Sequence, residues 1–198
     1  MPKIGLYFGS FNPIHIGHTA IAGYMTEFTD LDQVWFVVSP HNPLKKKETL
    51  LDDYQRLYMV QLAIGNNDHL KGSDIEFRLP VPSYTIDTLA YLNEKYPYHT
   101  FALVMGEDNL YTLHKWKNAE ELIRKCSIYV YPRPGSVRPA SPLLEKIMSA
   151  ADIHWVNAPL MDISGTFIRS GIKKGKDMSW YLSPPVWKYI EEMNFYEK

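Results

Sequence analysis

Two short segments carry residue types suited to chemistry on phosphates. Gly9-Ser10-Phe11-Asn12-Pro13-Ile14-His15-Ile16-Gly17-His18 follows an apolar run, Lys3-Ile4-Gly5-Leu6-Tyr7-Phe8. A strand that passes through a Gly-led turn into a helix offers an anion free backbone N–H groups and the positive end of a helix dipole. His15 and His18 lie three apart where the turn becomes helix, so both rings can face one ligand. His-x-x-His is also a zinc ligand pair. Metal-protease histidines sit four apart around a Glu, however, and no Cys or third His is placed nearby, so no protein-held metal is assigned. The second segment is Ile163-Ser164-Gly165-Thr166-Phe167-Ile168-Arg169. Ser164 suits a helix N-cap, and the N–H groups of Gly165 and Thr166, the Thr166 hydroxyl and Arg169 can then converge on a polyphosphate. Taken singly, each segment has a plainer meaning: histidines that cap or pack, and a capped helix with a solvated arginine. As a pair they describe two halves of a phosphate clamp.

Positioning those halves requires a scaffold. Short apolar runs at 3–8, 33–38, 100–105, 127–131 and 153–156 read as strands, with a further short strand expected at 73–77. Helical patterns separate them at about 17–28, 51–64, 84–96, 119–125 and 142–150, and two short helices follow near 164–171 and 185–193. Continuous apolar strands alternating with helices predict an α/β fold. It is a doubly wound, Rossmann-like parallel sheet of about five or six strands with helices on both faces. Ligands in such folds bind beyond the carboxyl ends of the strands. No boundary interrupts the chain, so residues 1–198 read as one domain with a small helical C-terminal part from about 164. The Pro-, Ser- and Gly-containing stretch 133–142 is the expected mobile loop.

Composition narrows the possibilities. The chain has 198 residues, 21 basic and 22 acidic side chains and a net charge of −1, which invites neither nucleic acid nor an anionic membrane. A single cysteine, Cys126, excludes an internal disulfide. No apolar run approaches the ~20 residues that span a bilayer, and the N-terminus lacks a signal-like apolar region, so a cytoplasmic location is expected.

Gly9-Ser10-Phe11-Asn12-Pro13 followed by His15-x-Gly17-His18 resembles the signature of the HxGH nucleotidyltransferase superfamily. Within it, the chain is similar to the adenylyltransferases that act on nicotinate mononucleotide, over residues 3 to about 171. The resemblance implies transfer of AMP from ATP to that mononucleotide, with pyrophosphate leaving and Mg²⁺ accompanying ATP. It implies that His15, His18 and Arg169 act at the reacting phosphate. It assigns Gly9, Ser10, Phe11, Ile163, Ser164 and Thr166 to ATP binding; Gly165 stands where relatives have a second Ser. A Pro-rich loop of the family that touches phosphate corresponds to Ser39–Lys47, and Lys45 or Lys46 takes that contact here. Arg56 is a weaker member of the set, with a surface or helix-stabilising role equally compatible. Ser83-Tyr84-Thr85-Ile86-Asp87-Thr88-Leu89 resembles the segment that holds the mononucleotide base, through Ser83 and Thr85. Asp87 reads as structural, because an Asp in a first helical turn is favoured by the dipole. Gly106 and Asp108 resemble a motif that meets ribose hydroxyls. Trp116 is expected to stack on the pyridine, with neighbouring backbone N–H groups meeting the nicotinate carboxylate. The other four tryptophans read as packing residues.

Overall fold

The computed structural model describes residues 1–40 and 50–197. Six strands form one fully parallel sheet: β1 (Lys3–Gly9), β2 (Gln33–Val38), β3 (Leu70–Ser73), β4 (Thr100–Gly106), β5 (Ile128–Tyr131) and β6 (Ile153–Trp155). Their order, β3-β2-β1-β4-β5-β6, reverses direction between β1 and β4. That reversal opens a crevice beyond the carboxyl ends of those two strands, where doubly wound folds take their ligands.

Side chains alternate across each strand, so the sheet sorts its apolar residues onto two faces. One face gathers Tyr7, Phe36, Val104 and Tyr131 with Phe11 and Ile14. It is covered by α1 (Ile16–Phe28), α2 (Asp53–Ile64), α7 (Gly165–Lys173) and α8 (Pro184–Glu192), through Met25, Val60, Ile168 and Val186 among others. The opposite face gathers Leu6, Val37, Leu103 and Val130 under α3 (Thr85–Lys95), α5 (Ala119–Lys125) and α6 (Pro142–Ala150). A four-residue helix, α4 (Glu107–Leu110), continues directly from β4 and contributes Leu110 to that second face. Both strand faces are therefore dry, and each fully buried aliphatic side chain stabilises the sheet by about 1.5–3 kcal/mol relative to exposure.

One expected strand is misplaced. Residues 73–77 do not extend; Leu70–Ser73 forms the edge strand and Ile75–Arg78 forms a 3-10 turn. Gly72 hides the true strand from propensity. A β-carbon there would lie 3.2 Å from Val60 Cγ1 and 3.3 Å from Leu57 Cδ1, so the close approach of α2 disfavours a larger residue. The remaining strand expectations, and the helices on both faces, agree with the structure within one or two residues at each end.

Candidate active site

The loop after β1 is held by its carbonyl oxygens. The Arg56 guanidinium is fully buried and donates to the Ser10 carbonyl at 2.6 Å, the Ser39 carbonyl at 3.0 Å and the Leu51 carbonyl at 3.0 Å, and it also pairs with Asp53. Arg169 Nη1 donates to the Asn12 carbonyl at 2.6 Å. In a trans peptide the C=O and N–H point opposite ways, so binding the Ser10 oxygen turns the Phe11 N–H away from Arg56. Asn12 Oδ1 accepts from the Tyr196 hydroxyl at 2.7 Å and from the Leu51 N–H at 3.4 Å.

Phe11 has φ +44°, an uncommon backbone state for a non-glycine residue. It persists because its ring is locked edge-on between Tyr7, Phe36 and His18. A β-carbon on Gly9 would lie 2.8 Å from that ring, so the strand must end in glycine here. The Phe11 side chain is 2% exposed, and only its backbone is available to a ligand.

His15 occupies the N-cap position of α1 and His18 its first turn. Their rings stack with centroids 3.7 Å apart. The His15 backbone N–H donates to His18 Nδ1 at 3.3 Å, so a neutral His18 ring carries its proton on Nε2. Burial, with a smaller contribution from the nearby Arg133 cation, lowers the His15 pKa to about 4. At neutral pH His15 is therefore an uncharged imidazole, and its buried Nδ1 has no hydrogen-bond partner among the described residues. A neutral ring at a helix start is a hydrogen-bond donor or acceptor rather than a counter-charge.

The late segment meets this loop. Ser164 caps α7 by accepting from the Phe167 N–H at 3.2 Å, as its position predicts. Arg169 Nη2 donates to Thr166 Oγ1 at 3.3 Å while its other nitrogen grips Asn12. A β-carbon at Gly165 would lie 2.9 Å from the Asn12 carbonyl oxygen, which accounts for glycine at this position. Ile163 packs against the α1/α7 core. The histidine pair and the Ser-Gly-Thr turn thus share one rim of the sheet.

Across β1, on the opposite face, lies a cavity of about 300 Å³. Gly9, Ser10, Ser83, Thr85 and Trp116, all expected at the site, line it. The first turn of α3 opens onto it at Tyr84 and Thr85, giving the cavity a positive helix end. Lys117 pairs with Asp87 of that turn at 2.8 Å, so Asp87 has a structural partner, as its position suggests. The N–H groups of Lys115 and Trp116 are taken by the Thr112 and Leu113 carbonyls, so neither is available to a substrate carboxylate.

Gly106 and Asp108 stand at the end of β4, between the two regions. Asp108 pairs with Arg133 at 3.5 Å, and a β-carbon on Gly106 would lie 2.6 Å from Asp108 Oδ1. Arg133, at the start of the stretch expected to be mobile, is held near a buried phenol pair, Tyr7 and Tyr131, whose hydroxyls are 2.9 Å apart. Burial raises the pKa of both phenols.

Sequence reasoning missed three of these groups: Arg56 as the buried grip on two loops, Arg133, and Glu76 in the cavity wall. An arginine in the first turn of the helix that follows a phosphate-type loop was the one available signal, and it pointed to Arg56 only weakly. Lys45 and Lys46 lie outside the described residues.

A doubly wound sheet with a His-x-Gly-His turn at its switch point, facing a capped helix with a conjugate arginine, is the architecture of a nucleotidyltransferase. Comparison with known proteins agrees: the cytidylyltransferase-like family model matches residues 6–171. A probable nicotinate-nucleotide adenylyltransferase of Flavobacterium johnsoniae is 57% identical over 196 residues, covering 99% of this chain and 100% of that protein. One from Bacteroides fragilis is 45% identical over 188 residues, covering 95% of this chain and 90% of the relative. The Plasmodium falciparum nicotinic acid mononucleotide adenylyltransferase complexed with NaAD superposes with a TM-score of 0.81 at 22% identity, covering 100% of this chain and 98% of that one, which supports the fold. The chain belongs to the cytidylyltransferase-like family and, within it, to the nicotinate-nucleotide adenylyltransferases.

Proposed function

We propose that the crevice at the β1/β4 reversal joins nicotinate mononucleotide to the α-phosphate of ATP. The mononucleotide phosphate arrives ionised and attacks the α-phosphorus, and the bond to pyrophosphate breaks as the dinucleotide forms. No protein nucleophile is needed, so the chain's contribution is orientation and stabilisation of charge on the phosphoryl oxygens. In this reading the Phe11 N–H, the start of α1 and the start of α7 hold the ATP phosphates. His18, donating from Nε2, and Arg169 stabilise the charge that develops during transfer. The cavity lined by Ser83, Thr85 and Trp116 takes the mononucleotide, and Asp108 leaves Arg133 for a ribose hydroxyl.

Among the described residues no group of three or more His, Cys, Asp or Glu could hold a metal ion. Mg²⁺ is read as the companion of ATP, which phosphate and water oxygens would hold and which would neutralise charge on the departing pyrophosphate. Among the described residues no helix is long and apolar enough to cross a membrane, in keeping with two small polar substrates.

One observation carries the reading: Arg169 of α7 reaches the Asn12 carbonyl, closing the late turn onto the histidine loop beside the cavity. The test is product formation by the purified protein with Mg-ATP and either the acid or the amide mononucleotide, following pyrophosphate and dinucleotide together. The acid is expected to be the better acceptor. A strong preference for the amide would overturn the substrate assignment, and tight ATP binding without turnover on either acceptor would overturn the activity.

A further inference from the structure

Glu76 is the least expected residue of the cavity wall. It sits on the 3-10 turn after β3, is 2% exposed, and lines the same cavity as Thr85 and Trp116. One carboxylate oxygen, Oε1, accepts from the buried Thr88 hydroxyl at 2.8 Å. The other, Oε2, is buried and has no hydrogen-bond partner among the described residues. Burial raises the Glu76 pKa, while the hydroxyls of Ser39, Thr88 and Ser83 lower it in part. Among the described residues no cationic side chain is paired with it. A buried carboxylate with no paired cation among the described residues is costly, and such groups call for an explanation.

The other charges of the cavity have the opposite sign. Lys115 and Lys117 line it on either side of Trp116, Lys117 in its ion pair with Asp87, together with the backbone start of α3. The wall is thus bipolar, with one sunken anion and a set of cationic groups. An N-ribosylated nicotinate ring is bipolar too, with a fixed positive charge on the ring nitrogen and a negative carboxylate on the ring.

We propose that Glu76 is the electrostatic partner of the pyridinium charge, so that the cavity selects a cationic ring over a neutral one of the same shape. The ring carboxylate then faces Lys115 and the backbone start of α3. The proposal rests on the mononucleotide reading of the cavity given above. In that setting Glu76 is a specificity residue, and its buried carboxylate receives its counter-charge from the substrate. A weakly solvated site makes such a pairing far stronger than it would be in water.

The experiment compares two acceptors with Mg-ATP: nicotinate mononucleotide, and its neutral isostere with a carbon-linked 3-carboxyphenyl ring on the ribose phosphate. The wild-type enzyme is expected to favour the cationic ring by roughly 10-fold or more in kcat/KM. Glu76→Gln should lose most of that preference by raising KM for nicotinate mononucleotide while leaving the neutral isostere within about two-fold. Thr88→Val, which removes the Oε1 hydrogen bond and keeps the carboxylate, is expected to affect both acceptors alike. An equal loss on both acceptors in folded Glu76→Gln, or no loss on either, would overturn the proposal in favour of a purely structural carboxylate. A wild type that treats both rings equally would overturn it too. Failure of the wild type to turn over nicotinate mononucleotide at all would instead strike the activity reading.

Discussion

The two faces of the sheet solve different recognition problems in different ways. On the α1/α7 face, the phosphate recognition proposed above is built from backbone. Two arginines hold carbonyl oxygens of one loop, and the ligand is left with N–H groups, helix starts and a stacked imidazole pair. On the α3/α5 face, the cavity proposed for the mononucleotide is built from single side chains drawn from several segments: Ser83, Thr85 and Trp116, with Glu76 in the wall. Polyphosphate is generic, and a rigid backbone cradle suits it. A pyridine ring with a carboxylate is particular, and only side chains of chosen shape and charge distinguish it from near relatives.

The sharpest way to break this comparison is to remove the grip on the loop. Arg56→Met leaves three loop carbonyls and Asp53 without their buried charged donor, and a stability loss of about 4 kcal/mol is expected, read from denaturant unfolding. Arg56→Met with unchanged stability would mean the loop holds itself. Next in size, His18→Ala should lower kcat by roughly 100-fold or more with little change in ATP affinity, because its contribution is made as charge develops. A loss confined to ATP binding would reduce His18 to a ground-state contact.

The third effect concerns pH. His15 is neutral in the folded protein, with its pKa near 4, against 6.5 for the free side chain. The unfolded chain therefore binds more protons between those values, and stability falls as pH drops through that window. Between pH 7 and 5 the expected loss from this residue is about 2 kcal/mol. His15→Gln should be less sensitive over the same range, as judged by Tm against pH. The smallest effect sharpens the other face: Trp116→Ala should raise KM for the mononucleotide by roughly 10-fold and spare ATP. A rise for ATP alone would mean the two substrates are placed on the wrong faces.

The same contrast explains what the sequence reveals. The phosphate face is legible because a backbone cradle needs contiguous residues: a Gly-led turn, His15 and His18 three apart, a Ser cap followed by Arg169. Alternating apolar runs likewise reveal the parallel sheet, since strands buried on both sides must be continuously apolar. Glu76 and Arg133 are illegible because nothing in their neighbours' types announces that distant segments will enclose them. Arg56 misleads for a related reason. On a helix bearing Asp52, Asp53 and Gln55 it reads as one more solvated charge, and only the fold brings the Ser10 and Ser39 carbonyls to it. Gly72 shows that a strand can be set by what packs on it rather than by its own propensity.

Because Arg56 and Arg169 bind main-chain oxygens, the cradle depends little on the side chain that Ser10 displays. Donor geometry and acceptor choice are consequently uncoupled at the level of mutation. Substitutions in the cavity wall can retune which ring is accepted while the attacking and leaving groups remain aligned.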